Sequence, residues 1–155
     1  MFKKIISILI VFNLVSHCGF TPIHSSKIKS NFSISSLEFE GERVINNYLK
    51  QNLNKYKNDK FDKTFKIKII SQYKKVILSK NTAANTINYE LSSEVNFIIS
   101  SGGKVVKELI AVEKRILDKN DDNFEEQKEE RITKQNFASS MSNKLVTELS
   151  LLNDN

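Results

Sequence analysis

The chain reads as an α+β fold: a two-layer sandwich whose four-stranded, mostly antiparallel sheet carries two helices on one face, in the order β-α-β-β-β-α. Three patterns predict it. Thr64 to Ser79 and Thr86 to Ser100 alternate apolar and polar residues with the period of a half-covered strand. Ile45, Leu49, Leu53 and Tyr56 recur at helical spacing, and so do Ala138, Met141, Leu145, Leu149 and Leu152 near the end. Two amphipathic helices suffice to cover one face of such a sheet. At 155 residues the chain has room for one core of ordinary size and not for two.

Each element follows from local chemistry. Residues 31–40 (NFSISSLEFE) are strand-like, with Phe32 and Ile34 on one parity and Leu37 and Phe39 on the other. The phase change near Ser35–Ser36 predicts a bulge. Gly41 opens the first helix, and residues 54–62 form a polar connector. In the strand from Thr64, the odd positions Phe65, Ile67, Ile69, Tyr73 and Ile77 point one way, and Lys66, Lys68 and Lys74 the other. Lys80–Asn85 is a hairpin loop, and Ser101–Gly102–Gly103 signals a tight turn. The fourth strand, Lys104 to Leu117, has Val106, Ile110, Val112 and Ile116 on one side and Leu109 and Leu117 on the other. This pattern predicts partial cover on both faces. Asn123 followed by Glu126 resembles a capping box, and a helix then runs to the end with a break expected near Ser139–Ser140. The lysines and glutamates of the second sheet face are left for water or a partner.

The first residues carry a different message. Met1–Phe2–Lys3–Lys4 is a short positive segment, and Ile5 to Val15 is an apolar run. As a helix that run rises roughly 16 Å, about half a bilayer core. It suits an export signal, residues 1–17, better than a membrane span. The run ends in Val15–Ser16–His17–Cys18–Gly19, which resembles the lipobox of bacterial lipoproteins, with His17 where a small residue is usual. Cys18, the only cysteine, is the expected lipidation site, so the chain is expected to be held at a membrane by its lipid. Residues 18–30, with Pro22 and several serines, read as the lipidated N-terminus and its tether. Residues 31–155 are the single folded domain.

Composition excludes most familiar chemistries. One cysteine rules out an internal disulfide framework and cysteine-based metal clusters. The glycines, at 19, 41, 102 and 103, fit neither a dinucleotide fingerprint nor a phosphate loop. The two histidines, His17 and His24, both lie near the start. Ser-x-x-Lys occurs at Ser26/Lys29, Ser71/Lys74 and Ser101/Lys104, which reads as chance in a chain rich in both residues. The net charge of +6 comes mostly from lysine, with arginine only at 43, 115 and 131, and there is no tryptophan. Nucleic-acid recognition favours arginine and aromatic stacking, so nucleic acid is not an expected partner. No nucleophile–base set or metal-ligand cluster stands out; neither catalysis, a metal nor a cofactor beyond the covalent lipid is expected.

Taken in order, the opening CGFTPI, the helix GERVINNYLKQNL, the stretch SKNTAAN-INYELSSEVNFII, the turn SSGGKVV and the closing QNFASSMSNKLVTELSLL resemble the LPS-assembly lipoprotein family of Gram-negative outer membranes (LptE), in its alphaproteobacterial form. The resemblance covers nearly the whole chain. It implies a lipid-anchored protein of the outer membrane, facing the periplasm and a barrel lumen. Such a protein plugs the LPS-assembly β-barrel, assists its folding and helps deliver lipopolysaccharide to the outer leaflet. It also implies lipopolysaccharide contacts at a basic residue between the second and third strands, matched by Lys80. A second basic site before the last helix is matched by Lys128 and Arg131. A rival reading keeps the anchor and the fold but makes the chain an accessory subunit of another transporter or an adaptor for a cell-wall synthase.

Overall fold

The computed structural model describes residues 31–57, 61 and 63–154. The export signal, Cys18, the tether and His24 lie outside the described residues. Strand β1 (Ser33–Gly41) is followed by helix α1 (Arg43–Leu53), a short 3-10 turn (Asn54–Tyr56), and strands β2 (Thr64–Lys80), β3 (Thr86–Ser101) and β4 (Lys104–Asp118). Helix α2 (Asn123–Asp154) closes the chain. The sheet order is β1-β2-β3-β4, with β1 parallel to β2 and the other pairs antiparallel. The predicted α+β order and layers are those observed.

The period-two pattern sets which face is covered. Ile67 and Ile69 of β2, Leu91, Val95, Phe97 and Ile99 of β3, and Ala111 and Leu117 of β4 are buried beneath the helices. Ile45, Leu49 and Leu53 of α1 and Ala138, Met141, Leu145 and Leu149 of α2 meet them, apart from Leu91 and Leu117, which pack with Phe137 of α2 in a smaller cluster. Each fully buried large aliphatic side chain contributes about 1.5–3 kcal/mol, so this contact dominates stability. The bulge expected in β1 is present as a register shift between Ile34 and Ser36.

The turn from β1 into α1 depends on Gly41. Its φ is +94°, and a Cβ there would fall 1.9 Å from the Ser71 carbonyl oxygen. The helix itself starts one residue later than expected, capped by Glu42, whose carboxylate accepts from the Ile45 N–H at 2.6 Å. Ser71 ties the corner: its hydroxyl donates to the carbonyls of Glu40 and Glu42, each at 3.3 Å.

Three further expectations are corrected. The cap of α2 is Asp122 rather than Asn123: its Oδ1 accepts from the Phe124 N–H at 2.8 Å, while Glu126 turns its carboxylate to the sheet. No break occurs at Ser139–Ser140; α2 is continuous, because Ala138, Met141 and Ser142 are buried on the sheet while Ser140 donates to Glu113 at 2.7 Å. Strand β4 is covered on one face only. Val106, Ile110, Val112 and Ile116 all lie on the open face, 45–62% exposed.

Candidate functional site

Three surfaces are candidates, and the long reach of the strands creates them. Strand β2 has 17 residues and spans about 55 Å, whereas α1 has 11 residues and covers only about 16 Å of it. The far end of the sheet must therefore be covered by the start of α2 or left bare.

Where the start of α2 does cover it, the contact is ionic. Glu126 accepts from Lys75 Nζ at 2.8 Å and from Lys119 Nζ at 2.7 Å. One turn on, Glu130 accepts from Lys75 at 2.9 Å, Lys134 at 3.0 Å and the Tyr73 hydroxyl at 2.9 Å. Lys134 lies 4.0 Å from the Tyr73 ring centre and Lys75 4.3 Å from that of Tyr89. Hydrogen bonds from Lys119 and Lys75 hold the Glu126 carboxyl down at about 2. Burial opposes ionisation of Glu130, but the bonds from Lys75, Lys134 and Tyr73 prevail and lower it. Burial, reinforced by Glu130, pushes the Tyr73 phenol well above its ordinary range. Glu126 and Tyr73, moved away from neutrality in opposite directions, keep their carboxylate and phenol forms at physiological pH. The network fastens the helix to the sheet.

The second surface is the bare tip of the β2–β3 hairpin. Val76, Ile77, Leu78 and Ile87 are each about half exposed there. Asn81 organises the turn: its side-chain oxygen accepts from the N–H groups of Ala83 and Asn85 at 3.0 and 2.9 Å. Lys80 is the last residue of β2, opposite Thr86, rather than a loop residue as expected. The tip thus carries Lys80 close along the strands to four half-exposed aliphatic residues, distributed over both faces of the hairpin.

The third surface is the outer side of α2 near its start. Lys128 and Arg131 stand in the first turns of the helix, not before it. Lys128 pairs with Glu125 at 3.0 Å, and Arg131 borders a shallow groove with Val44, Tyr48 and Lys134. Phe124 beside them is 70% exposed. Lys80 does not join this group. It lies five residues beyond Lys75 along β2, roughly 17 Å past the strand's contact with α2. Of the Ser-x-x-Lys pairs, Ser71/Lys74 does not form a site, since Ser71 faces the β1–α1 corner and Lys74 lies on the opposite face of the strand; Ser26/Lys29 lies outside the described residues.

The fold has solved counterparts. The chain superposes on rare lipoprotein B from Shewanella oneidensis with a TM-score of 0.58 at 13% identity, covering 76% of this chain and 96% of that one. It fits lipoprotein B from Nitrosomonas europaea with 0.55 at 14%, covering 81% and 88%, and a minor lipoprotein from Acinetobacter baumannii with 0.54 at 15%, covering 77% and 92%. This chain has the lipoprotein B fold. No family profile matches it, and no curated protein matches it in sequence. Among the described residues no helix is long and apolar enough to cross a membrane.

Sequence reasoning missed two features of these surfaces. Val76–Ile77–Leu78 is a run of three apolar residues in a strand, which must place at least one on each face. That run was the available signal for a bare tip. The Tyr73–Lys75–Glu126–Glu130 network joins residues more than 50 positions apart, and no local spacing announces it.

Proposed function

We propose that this chain is a non-enzymatic, lipid-anchored outer-membrane protein that plugs and helps fold the LPS-assembly β-barrel and helps pass lipopolysaccharide through it. The observation that carries the reading is the lipoprotein B fold in a chain whose N-terminus has the lipidation pattern at Cys18. The surface is compatible with a barrel lumen, which is polar and in some barrels filled by a separate element. On the β1–β2 part of the open sheet face, cations and acids meet, as in the pair Lys68–Glu40 at 2.7 Å.

For lipopolysaccharide, an amphiphile with phosphates and acyl chains, the hairpin tip offers matched chemistry. Lys80 meets a phosphate while Val76, Leu78 and Ile87 meet hydrocarbon. Arg131, Lys128 and Phe124 repeat that combination on α2, where Glu125 offsets part of the charge. The test is binding of labelled lipopolysaccharide to the full chain in mild detergent. Lys80→Glu is expected to weaken binding about tenfold, a change of about 1.4 kcal/mol, without shifting the thermal midpoint. Unchanged binding removes Lys80 from the contact, and no binding by the unaltered chain overturns the delivery role.

A further inference from the structure

The end of the fold at which β1 begins gathers four strand ends and the ends of both helices. Ser33 lies beside Thr64 in the parallel β1–β2 pair, the Ser101 hydroxyl donates to the Thr64 carbonyl at 3.2 Å, and Ser101 pairs with Lys104. Phe32 stacks on Tyr56 just after α1, with 5.7 Å between ring centres. Lys63 donates to the Leu152 and Asn153 carbonyls at the end of α2. The β2–β3 hairpin tip stands at the opposite end, about 55 Å away along β2.

Charge is divided unevenly between these ends. Lys55, Lys57, Lys66 and Lys104 are exposed at the first end and form no ion pair among the described residues. Residues 55–66, with Lys104 and Asp154, carry six lysines and three aspartates, so this end is cationic. Toward the hairpin end, residues 118–130 carry seven carboxylates and two lysines, and Glu126 and Glu130 take up Lys75, Lys119 and Lys134. The cations left over there, Lys74, Lys80, Arg115 and Arg131, are offset by Asp118, Asp121, Asp122 and Glu129. Apolar side chains stand among the lysines of the first end: Val105 is 59% exposed and Leu151 55%. Gly102 and Gly103 have φ of +57° and +80°, and nothing lies within 4 Å of a Cβ at either, so the β3–β4 turn projects clear of the fold.

Cations around exposed hydrocarbon suit an anionic bilayer surface, where phosphates meet the lysines and the acyl boundary meets the apolar side chains. Reach points the same way. Cys18 and Asn31 are 13 residues apart, which is at most about 45 Å of fully extended chain. With the hairpin tip on the bilayer and β2 upright, Asn31 would stand about 55 Å above the surface, beyond that reach. Reach thus excludes the tip-down orientation, and charge selects the lysine end among the rest.

We infer that the end carrying Lys55, Lys57, Lys66 and Lys104 is a docking surface for the anionic phospholipid bilayer in which the chain is anchored, and that it holds the hairpin tip away from that bilayer. The inference rests on the lipid at Cys18 proposed above and not on the barrel. For the test, the lipidated full chain carries a fluorophore at Ser101→Cys or Ala83→Cys, Cys18 being blocked by its lipid. It is reconstituted into vesicles of phosphatidylcholine, alone or mixed with phosphatidylglycerol, and quenching by nitroxide-labelled lipid headgroups is read. In the mixed vesicles quenching is expected at position 101 and not at position 83. The contact equilibrium at 101 should fall about tenfold in phosphatidylcholine alone, and likewise in Lys66→Glu/Lys104→Glu on mixed vesicles. Circular dichroism confirms that this variant is folded. A chain that does not float with either kind of vesicle lacks the anchor, and the inference falls with it. A chain that floats but is quenched at neither position, equally at both, or at 101 regardless of phosphatidylglycerol and the two lysines overturns the inference alone.

Discussion

The two halves of α2 lie on the same sheet, and along their inward stripe they are held to it by different forces; only at the rim of the later half do ion pairs such as Lys107–Glu148 and Lys144–Glu113 join them. From Phe137 onward the inward stripe is Phe137, Ala138, Met141, Leu145 and Leu149, all buried in apolar contact. Before it the same stripe continues as Glu126, Glu130 and Thr133, and the contacts become ion pairs with Lys75 and Lys119, while the helix's own Lys134 completes the partners of Glu130. The geometry is continuous across the junction and the chemistry is not. Apolar contact is insensitive to pH and salt, whereas partly buried ion pairs respond to both. The helix is thus built with a permanent end and a conditional one, and the conditional end lies nearer the bare hairpin tip.

Substitutions on either side of the junction sharpen the contrast. Leu145→Ala, which opens a cavity under the permanent half, is expected to cost about 2–5 kcal/mol in urea unfolding. Glu126→Gln should cost less, about 1–2 kcal/mol, since it weakens charge-assisted bonds to two lysines that keep some contact with water. Amide hydrogen exchange distinguishes them further. Leu145→Ala should raise exchange throughout the fold, and Glu126→Gln mainly over the first three turns of α2. If the two variants give the same pattern, the halves are not separable.

Acid gives the smallest and most selective effect. Glu126 titrates at about 2 in the folded chain, below the ordinary carboxylate value of roughly 4.3. Its stabilising contribution is therefore full above that ordinary value and is lost as pH falls from there toward 2. Between pH 6 and pH 3 the unaltered chain should lose more stability than Glu126→Gln, whose side chain does not titrate. Equal losses would mean that Glu126 is not held by Lys75 and Lys119 as the structure shows.

Much of the permanent half was legible in the sequence because its signals are local. The i, i+4 spacing of Met141, Leu145 and Leu149 and the alternation in β2 and β3 each need only a short window. The conditional half was not legible: Glu126 reads as a capping residue, yet its carboxylate is taken by Lys75, 51 positions away. The same limit explains β4. Alternation placed Val106, Ile110, Val112 and Ile116 together on one face, but only the sheet order shows that neither helix reaches it. The candidate contacts followed suit: the resemblance pointed to Lys80, Lys128 and Arg131, and the fold moved Lys80 onto a strand end and the other two into a helix.

The central claim is the partnership with a barrel. Its most direct test is isolation of the tagged full chain from its native membranes in mild detergent, with partners identified by mass spectrometry. The account predicts a stoichiometric outer-membrane β-barrel of the LPS-assembly type. Recovery of an inner-membrane transporter or a cell-wall synthase in its place would contradict it.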